Sequence, residues 1–101
     1  MALINMNQKN LLSMLNDDML KCIIADNFVN VHIQSGMFNF SSCVIPDNIL
    51  VDHHNLMITQ GMFEYNIEFD KVDMFDISYS NNENSYQIQC DSMQFYFDFN
   101  P

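Results

Sequence analysis

The stretch ITQGMFEYNIEFDKVDMFDISY, residues 58–79, alternates apolar and acidic positions more regularly than any other part of the chain. Between 63 and 70 the odd positions hold Phe, Tyr, Ile and Phe, and the even positions hold Glu, Asn, Glu and Asp. A period of two is typical of a β-strand with one buried face, because successive side chains point to opposite sides. The alternation resumes at 76–79. The stretch therefore predicts two antiparallel strands joined by a short acidic turn, with carboxylates on the outer face.

An N-terminal helix is predicted for residues 5–16, because Asn5 or Asn7 can cap it and its apolar side chains recur at helical spacing. These side chains are Leu11, Leu12, Met14 and Leu15. The segment Asn16-Asp17-Asp18 either lies on the solvent face of a longer helix or ends the helix. The helix runs to about Ala25, which we favour, or it ends there and 19–25 forms a strand. Asp26-Asn27 forms a turn in either case.

A short motif recurs at 33–40, IQSGMFNF, and at 58–65, ITQGMFEY. It contains the only two glycines of the chain, Gly36 and Gly61. Glycine adopts positive φ without a steric penalty, so each is predicted to occupy the left-handed position of a tight hairpin turn. Two hairpins that use the same turn and a duplicated unit both account for the repeat.

Further strands are predicted near 28–33, 37–44, 49–52, 55–59, 86–90 and 95–99. The segments 46–48 and 81–84 are predicted to be turns, and 53–55 a turn or an edge strand. We expect one α+β domain spanning 1–101. It would consist of an N-terminal helix, about 5–25, packed on a six- or seven-stranded antiparallel meander sheet, 28–99, that is either open or curled into a partial barrel.

The charge balance is strongly acidic, with three Lys, no Arg, thirteen Asp plus Glu and a net charge of −10. Residues 22–101 hold eleven of these acids against Lys71 alone. Binding to a phosphate backbone depends on Lys and Arg, so direct nucleic-acid binding is not expected. The helix has almost no basic residues for a membrane surface. No signal sequence is recognisable, and the three Cys read as buried reduced thiols, so a cytoplasmic location is expected.

Catalytic and metal sites are not indicated by the motifs. The three histidines, His32, His53 and His54, and the three cysteines lack metal-ligand spacing. The acidic segment 70–76 lacks the glycine and the closing glutamate of a calcium loop. No nucleophile turn and no glycine-rich phosphate loop is present. We therefore expect a protein that is not an enzyme and that uses no cofactor or metal.

The acidity itself points to a basic protein partner. A DNA duplex carries one charge per roughly 1.7 Å of axis, so about 20 Å, the length of one strand, spans about twelve phosphates. The net charge of this chain is of that order. The chain is rich in Asn, Ile, Phe and Met, an amino-acid composition typical of genes in AT-rich DNA. In size, acidity, this composition and lack of catalytic residues, the chain resembles the small inhibitors that phages and mobile elements direct at host defence. These include anti-CRISPR proteins and DNA-mimicking anti-restriction proteins.

The resemblance rests on overall character and carries over no site residues. It implies an inhibitor that occupies the basic nucleic-acid groove of a CRISPR or restriction nuclease in the host cytoplasm. The residues expected to contact the partner are five carboxylates, which steer association, and two methionines, which supply apolar contact. They are Glu64, Glu68, Asp70, Asp73, Asp76, Met62 and Met74.

The alternative is a structural or assembly domain of a phage or bacterial complex. Such a domain would self-associate, for example as a homodimer, or bind a partner through a sheet edge and the Met/Phe positions. The acidity would then serve only to keep the protein soluble.

Overall fold

The structure, a computed structural model, describes residues 3–99 and contains one helix and eight strands. The elements are α1 (Met6–Ala25), β1 (Val29–Ser35), β2 (Phe38–Val44), β3 (Ile49–Val51), β4 (Asn55–Gln60), β5 (Phe63–Glu68), β6 (Phe75–Ser80), β7 (Ser85–Cys90) and β8 (Met93–Asp98). Short 3-10 turns at Pro46–Asn48 and Phe69–Lys71 precede β3 and follow β5.

The helix begins with a capping box. The Gln8 backbone N–H donates to the Asn5 side chain at 2.9 Å, and the Asn5 backbone N–H donates to the Gln8 side chain at 3.0 Å. The helix ends at Ala25, where Asp26 takes a left-handed conformation with φ of 57°. The prediction of a long helix is confirmed, and the alternative of a strand at 19–25 is wrong. The buried side chains of the helix are Leu12, Leu15 and Met19, whereas Met14, which was predicted to belong to the apolar stripe, is exposed.

The α+β class and the antiparallel pairing are confirmed. The strands number eight, slightly more than predicted, and they form two sheets instead of one. The five-stranded sheet has the order β2-β1-β8-β7-β6, and the three-stranded sheet has the order β3-β4-β5. Every pairing is antiparallel. Among the described residues the sheets do not close into a barrel, since each keeps two edge strands.

The antiparallel pair predicted within 58–79 is wrong. β5 pairs with β4, and β6 pairs with β7 in the other sheet. The segment between them turns a corner: Phe69 is completely buried, and its ring lies 4.7 Å from that of Phe75, centroid to centroid. Burial of these two rings between the sheets takes the place of strand pairing across the acidic turn.

The aromatic side chains of β5 show how the sheets cross. The Phe63 ring stacks on Phe40 of β2 at 4.4 Å, and the Tyr65 ring meets Phe95 of β8 edge-on at 6.1 Å. Beyond the end of β5, Phe69 contacts the first residue of β6. From Phe63 to Phe69 the chain therefore passes over three strands of the five-stranded sheet in turn: the edge strand β2, the middle strand β8 and the other edge strand β6. This is the arrangement of sheets that cross at a large angle.

Both glycines occupy the turns predicted for them. Gly36 has φ of 58° and connects β1 to β2, and Gly61 has φ of 60° and connects β4 to β5. In each turn the second central residue, Met37 or Met62, does not have positive φ. A positive φ at the first central position alone is the pattern of a type II′ turn, which matches the twist of antiparallel strands.

The three cysteines differ in their surroundings. Cys90 is buried, Cys22 is half-buried and Cys43 is exposed, and all three are free thiols. The prediction of a buried thiol is wrong for Cys43, because the alternation of β2 turns this side chain outward. There its Sγ donates to Oδ1 of Asn30 at 2.8 Å.

Candidate functional site

The carboxylates lie at the protein surface. None of the thirteen Asp and Glu is buried, and eleven are exposed. Two of the three lysines are held by acids of their own segment: Lys71 pairs with Glu68 at 2.8 Å, and Lys21 with Asp18 at 3.9 Å. The hydrogen bond that Lys71 donates to Glu68 also raises the pKa of Lys71. The surface therefore presents a strong negative field with few cations to oppose it.

The outward side of the three-stranded sheet carries two of the predicted carboxylates. Along β5 the half-buried side chains alternate with exposed Glu64, Asn66 and Glu68. The register sets Glu64 across from Thr59 and Glu68 across from Asn55. The two carboxylates thus share one face and are separated by a single intervening position on that face.

An apolar row lies between these carboxylates. The register aligns Leu50 of β3 with Met57 of β4, and Met57 with Asn66 of β5. Leu50 is 58% exposed and Met57 is half-buried. We call the outward side of this sheet the acidic face. Its residues are Leu50, Asn55, Met57, Thr59, Glu64, Asn66 and Glu68.

A groove of about 370 Å³ follows the acidic face where it meets the helix at Asn16. An adjoining recess of about 280 Å³ shares Asn16 and Asp52 with the groove. In this recess Ser13 Oγ lies 2.9 Å from His53 Nε2. Asp52 Oδ1 accepts the backbone N–H groups of the two residues that follow His53, each at 2.7 Å, so this carboxylate holds the turn. Of the segment 53–55, predicted as a turn or an edge strand, residues 53–54 form the turn and Asn55 begins β4. The contacts assemble no Asp–His–Ser relay.

The other predicted contact residues lie elsewhere. Asp70 is exposed in the second 3-10 turn, and Asp73 and Met74 are exposed just before β6. The backbone N–H groups of Asp73 and Met74 donate to Asp91 Oδ1 at 3.1 and 2.9 Å, which fixes this connection. Asp76 lies on the outward side of the five-stranded sheet. The structure therefore brings Glu64 and Glu68 together on one face and places Asp76 on the other sheet.

The outward side of the five-stranded sheet is polar but carries little charge. Strand alternation and register place fifteen side chains there, of which only Asp76 and Asp98 are acidic residues. The acidic face has two carboxylates among seven side chains, so its proportion of acidic residues is about twice that of the outward side of the five-stranded sheet. The uncharged positions hold Asn30, His32, Gln34, Asn39, Ser41, Cys43, Ser78, Ser80, Ser85, Gln87, Gln89, Gln94 and Tyr96.

The two apolar members of the acidic face, Leu50 and Met57, are among the five of its seven residues that were not predicted from the sequence. Both lie in segments recognised as strands, but their alignment with Asn66 depends on the register of three strands. Met37 was also missed, although a signal was present: the repeated Gly-Met-Phe motif gives it the same position as Met62.

Two buried groups retain their protons. The Tyr86 hydroxyl donates to Asp18 Oδ2 at 2.6 Å, and burial together with this bond raises the pKa of Tyr86. Burial, with a smaller effect of Asp91, raises the pKa of Cys90 to about 12. Neither group ionises near neutral pH, so both have structural roles and neither is an activated nucleophile. Among the described residues no cluster of His, Cys, Asp and Glu is arranged to hold a metal ion.

Comparison of the chain with protein families and with curated proteins gave no match, and no solved structure matches it. Within residues 3–99 the single helix is not apolar enough over its length to cross a membrane.

Proposed function

We propose that this protein is a non-enzymatic inhibitor that binds the basic nucleic-acid groove of a nuclease such as a CRISPR or restriction enzyme. The acidic face supports this proposal best: two carboxylates, Glu64 and Glu68, lie on either side of the apolar row Leu50–Met57. The apolar row and Glu68 also line a groove of about 370 Å³. Carboxylates at the rim steer a cationic partner, and a central apolar row provides the contact that excludes water.

The dimensions favour blocking of a groove over an exact copy of DNA. The protein measures 36 × 30 × 22 Å, and a duplex as long as its longest axis carries about 21 phosphates at 1.7 Å each. The net charge of −10 is about half of that. The acids are also spread over both sheets and the turns. The protein would therefore compete with nucleic acid through general charge complementarity and contact at the acidic face.

Charge reversal at the acidic face tests the proposal. Purified guide-loaded CRISPR nuclease and restriction nuclease would be assayed for binding and for DNA cleavage with the wild type, with Glu64→Lys plus Glu68→Lys, and with a matched control. The control, Asp17→Lys plus Asp47→Lys, makes the same change in net charge at exposed positions outside the sheets. We expect the first pair to weaken inhibition at least about tenfold and the control pair to weaken it much less. Inhibition that is equal in all three proteins would refute the acidic face as the binding site.

The alternative, a structural or assembly domain, is favoured by the open sheet edges. β2 and β6 end one sheet and β3 and β5 end the other, and an unpaired edge strand can accept a strand from another chain. Light scattering distinguishes the two proposals. A stable homodimer that ignores basic nucleases supports assembly, and a monomer that binds them supports inhibition.

A further inference from the structure

Two methionines are fully exposed at the tips of equivalent hairpins. Met37 is the second residue of the β1–β2 turn, and Met62 is the second residue of the β4–β5 turn. The turn geometry requires glycine at the preceding position but makes no demand for an apolar side chain here. An exposed methionine gains free energy only when another surface covers it. We call Met37 and Met62 the methionine tips.

An aromatic stack holds the two hairpins side by side. The rings of Phe38 and Phe63, each the residue after a methionine tip, are parallel to within 6° with centroids 6.2 Å apart. Phe63 also stacks on Phe40 at 4.4 Å. Phe38 is 42% exposed, so the stack continues the apolar surface between the tips. The tips therefore project from a common packed base, which limits the conformational entropy that binding would cost.

Charge decides what can cover the tips. Glu64 follows Met62 by two residues and belongs to the acidic face, so the Met62 tip adjoins the surface proposed to bind a basic partner. A second copy would bring another net charge of −10 against the first, which opposes association. A segment that carries both Lys or Arg and apolar side chains satisfies both parts of the surface.

We infer that the methionine tips, seated on the Phe38–Phe63 stack, are a two-pronged anchor for an amphipathic basic segment of the partner. This inference rests on the proposed function and divides the binding surface into two parts. The carboxylates of the acidic face set the association rate and its salt dependence, and the methionine tips set the dissociation rate. Methionine suits this role because its flexible, polarisable side chain adapts to irregular apolar surfaces.

Two synthetic helical peptides of about 18 residues, or five turns, serve as probes. One has Lys on one face and Leu on the other, and its partner has the same number of Lys with Gln in place of Leu. Association and dissociation rates would be measured by surface plasmon resonance for the wild type and for Met37→Gln plus Met62→Gln. The control is Leu3→Gln plus Ile24→Gln, which changes two apolar residues that are 91% and 86% exposed outside the hairpins.

We expect the wild type to bind the Lys/Leu peptide at least about tenfold more tightly than the Lys/Gln peptide. The tip variant should lose this preference through faster dissociation, keep its affinity for the Lys/Gln peptide, and unfold at the wild-type temperature. The control should behave as wild type. A preference that survives in the tip variant, is lost equally in the control, or is missing in the wild type overturns the anchor. Failure of the wild type to bind either peptide at low salt contradicts the proposed function itself, as well as the anchor. Light scattering tests the other possible occupant. If the wild type self-associates and the tip variant does not, a second copy covers the tips, and the inference of a basic partner segment is overturned.

Discussion

Replacement of Tyr86 by Phe removes one hydroxyl that joins the helix to the five-stranded sheet. The ring is buried, and its hydroxyl donates to Asp18 Oδ2 at 2.6 Å. A hydrogen bond to a charged group contributes about 1.5–3 kcal/mol. The Asp18 side chain is 24% exposed and also has Lys21 nearby, so water can replace part of the lost bond. We therefore expect Tyr86→Phe to lower the free energy of unfolding by about 1.5 kcal/mol at neutral pH, and the melting temperature by about 7 °C.

The same substitution should matter less at alkaline pH. The ordinary pKa of tyrosine is 10.0, and burial with the bond to Asp18 raises the pKa of Tyr86 in the folded protein. The folded state therefore holds this proton above pH 10 while the unfolded state releases it. The stabilisation is complete below pH 10 and is lost as pH rises above it, by about 1.4 kcal/mol at pH 11. Because Phe cannot ionise, the difference between wild type and variant should shrink from about 1.5 kcal/mol to near zero.

Urea unfolding of both proteins at neutral pH and near pH 11 measures this difference directly. Tyr79→Phe is the matched control, since it removes a hydroxyl that donates to the neutral amide of Asn84 at 3.2 Å on an exposed loop. We expect the control to cost about 0.5 kcal/mol at neutral pH. If Tyr86→Phe costs no more than the control, the bond to Asp18 does not stabilise the fold. A full penalty that persists near pH 11 would show that Tyr86 does not hold its proton preferentially in the folded state.

Three further predictions concern the thiols, the turns and the core. Cys43 is exposed, whereas Cys90 is buried with a pKa raised from 9.0 to about 12. A colourimetric thiol reagent at mildly alkaline pH should therefore label Cys43 at once and Cys90 only on unfolding. Rapid labelling of Cys90 in the native protein would contradict this. Gly36→Ala and Gly61→Ala should each destabilise by about 1–2 kcal/mol in urea unfolding, because only the positive φ opposes the new methyl group, which meets no atom within 4 Å; no loss of stability would mean that the turns can change conformation. Phe69→Ala should cost about 3–5 kcal/mol by the same measurement, since the ring is fully buried where the chain passes between the sheets; a loss below about 1 kcal/mol would place this ring outside the core.

The sequence predicted local structure well because the signals for local structure are short. Asn5, one of the two predicted caps, marks the helix start, and Gly36 and Gly61 mark two hairpins through their conformational freedom. Strand alternation likewise predicts which side of β5 is buried. It does not predict which strand pairs with it, because the same alternation is compatible with any antiparallel neighbour. The assignment of β5 and β6 to different sheets depends on the burial of Phe69, a contact between distant parts of the fold.

The candidate site was predictable in part for the same reason. Exposure of Glu64 and Glu68 follows from the alternation of one strand. Their grouping around Leu50 and Met57 requires the register of three strands, which the sequence of β5 alone does not contain. Asp76 was predicted to contact the partner together with Glu64 and Glu68, but it lies on the other sheet. The sequence does not show that the chain turns a corner between β5 and β6.

The strand order has a consequence for how the chain reaches its native state. β8 is the latest in sequence of the five strands of its sheet, yet it lies in the middle, between β1 and β7. Until β8 is available, the β1–β2 and β6–β7 hairpins have no strand to join them, and each exposes an unpaired edge. Joining β1 to β8 also closes a loop of more than fifty residues, an ordering cost that must be met before the central rows of the core can form. We therefore expect this protein to fold slowly for its size, and to be most vulnerable to aggregation and to proteolysis while its last strand is still being synthesised.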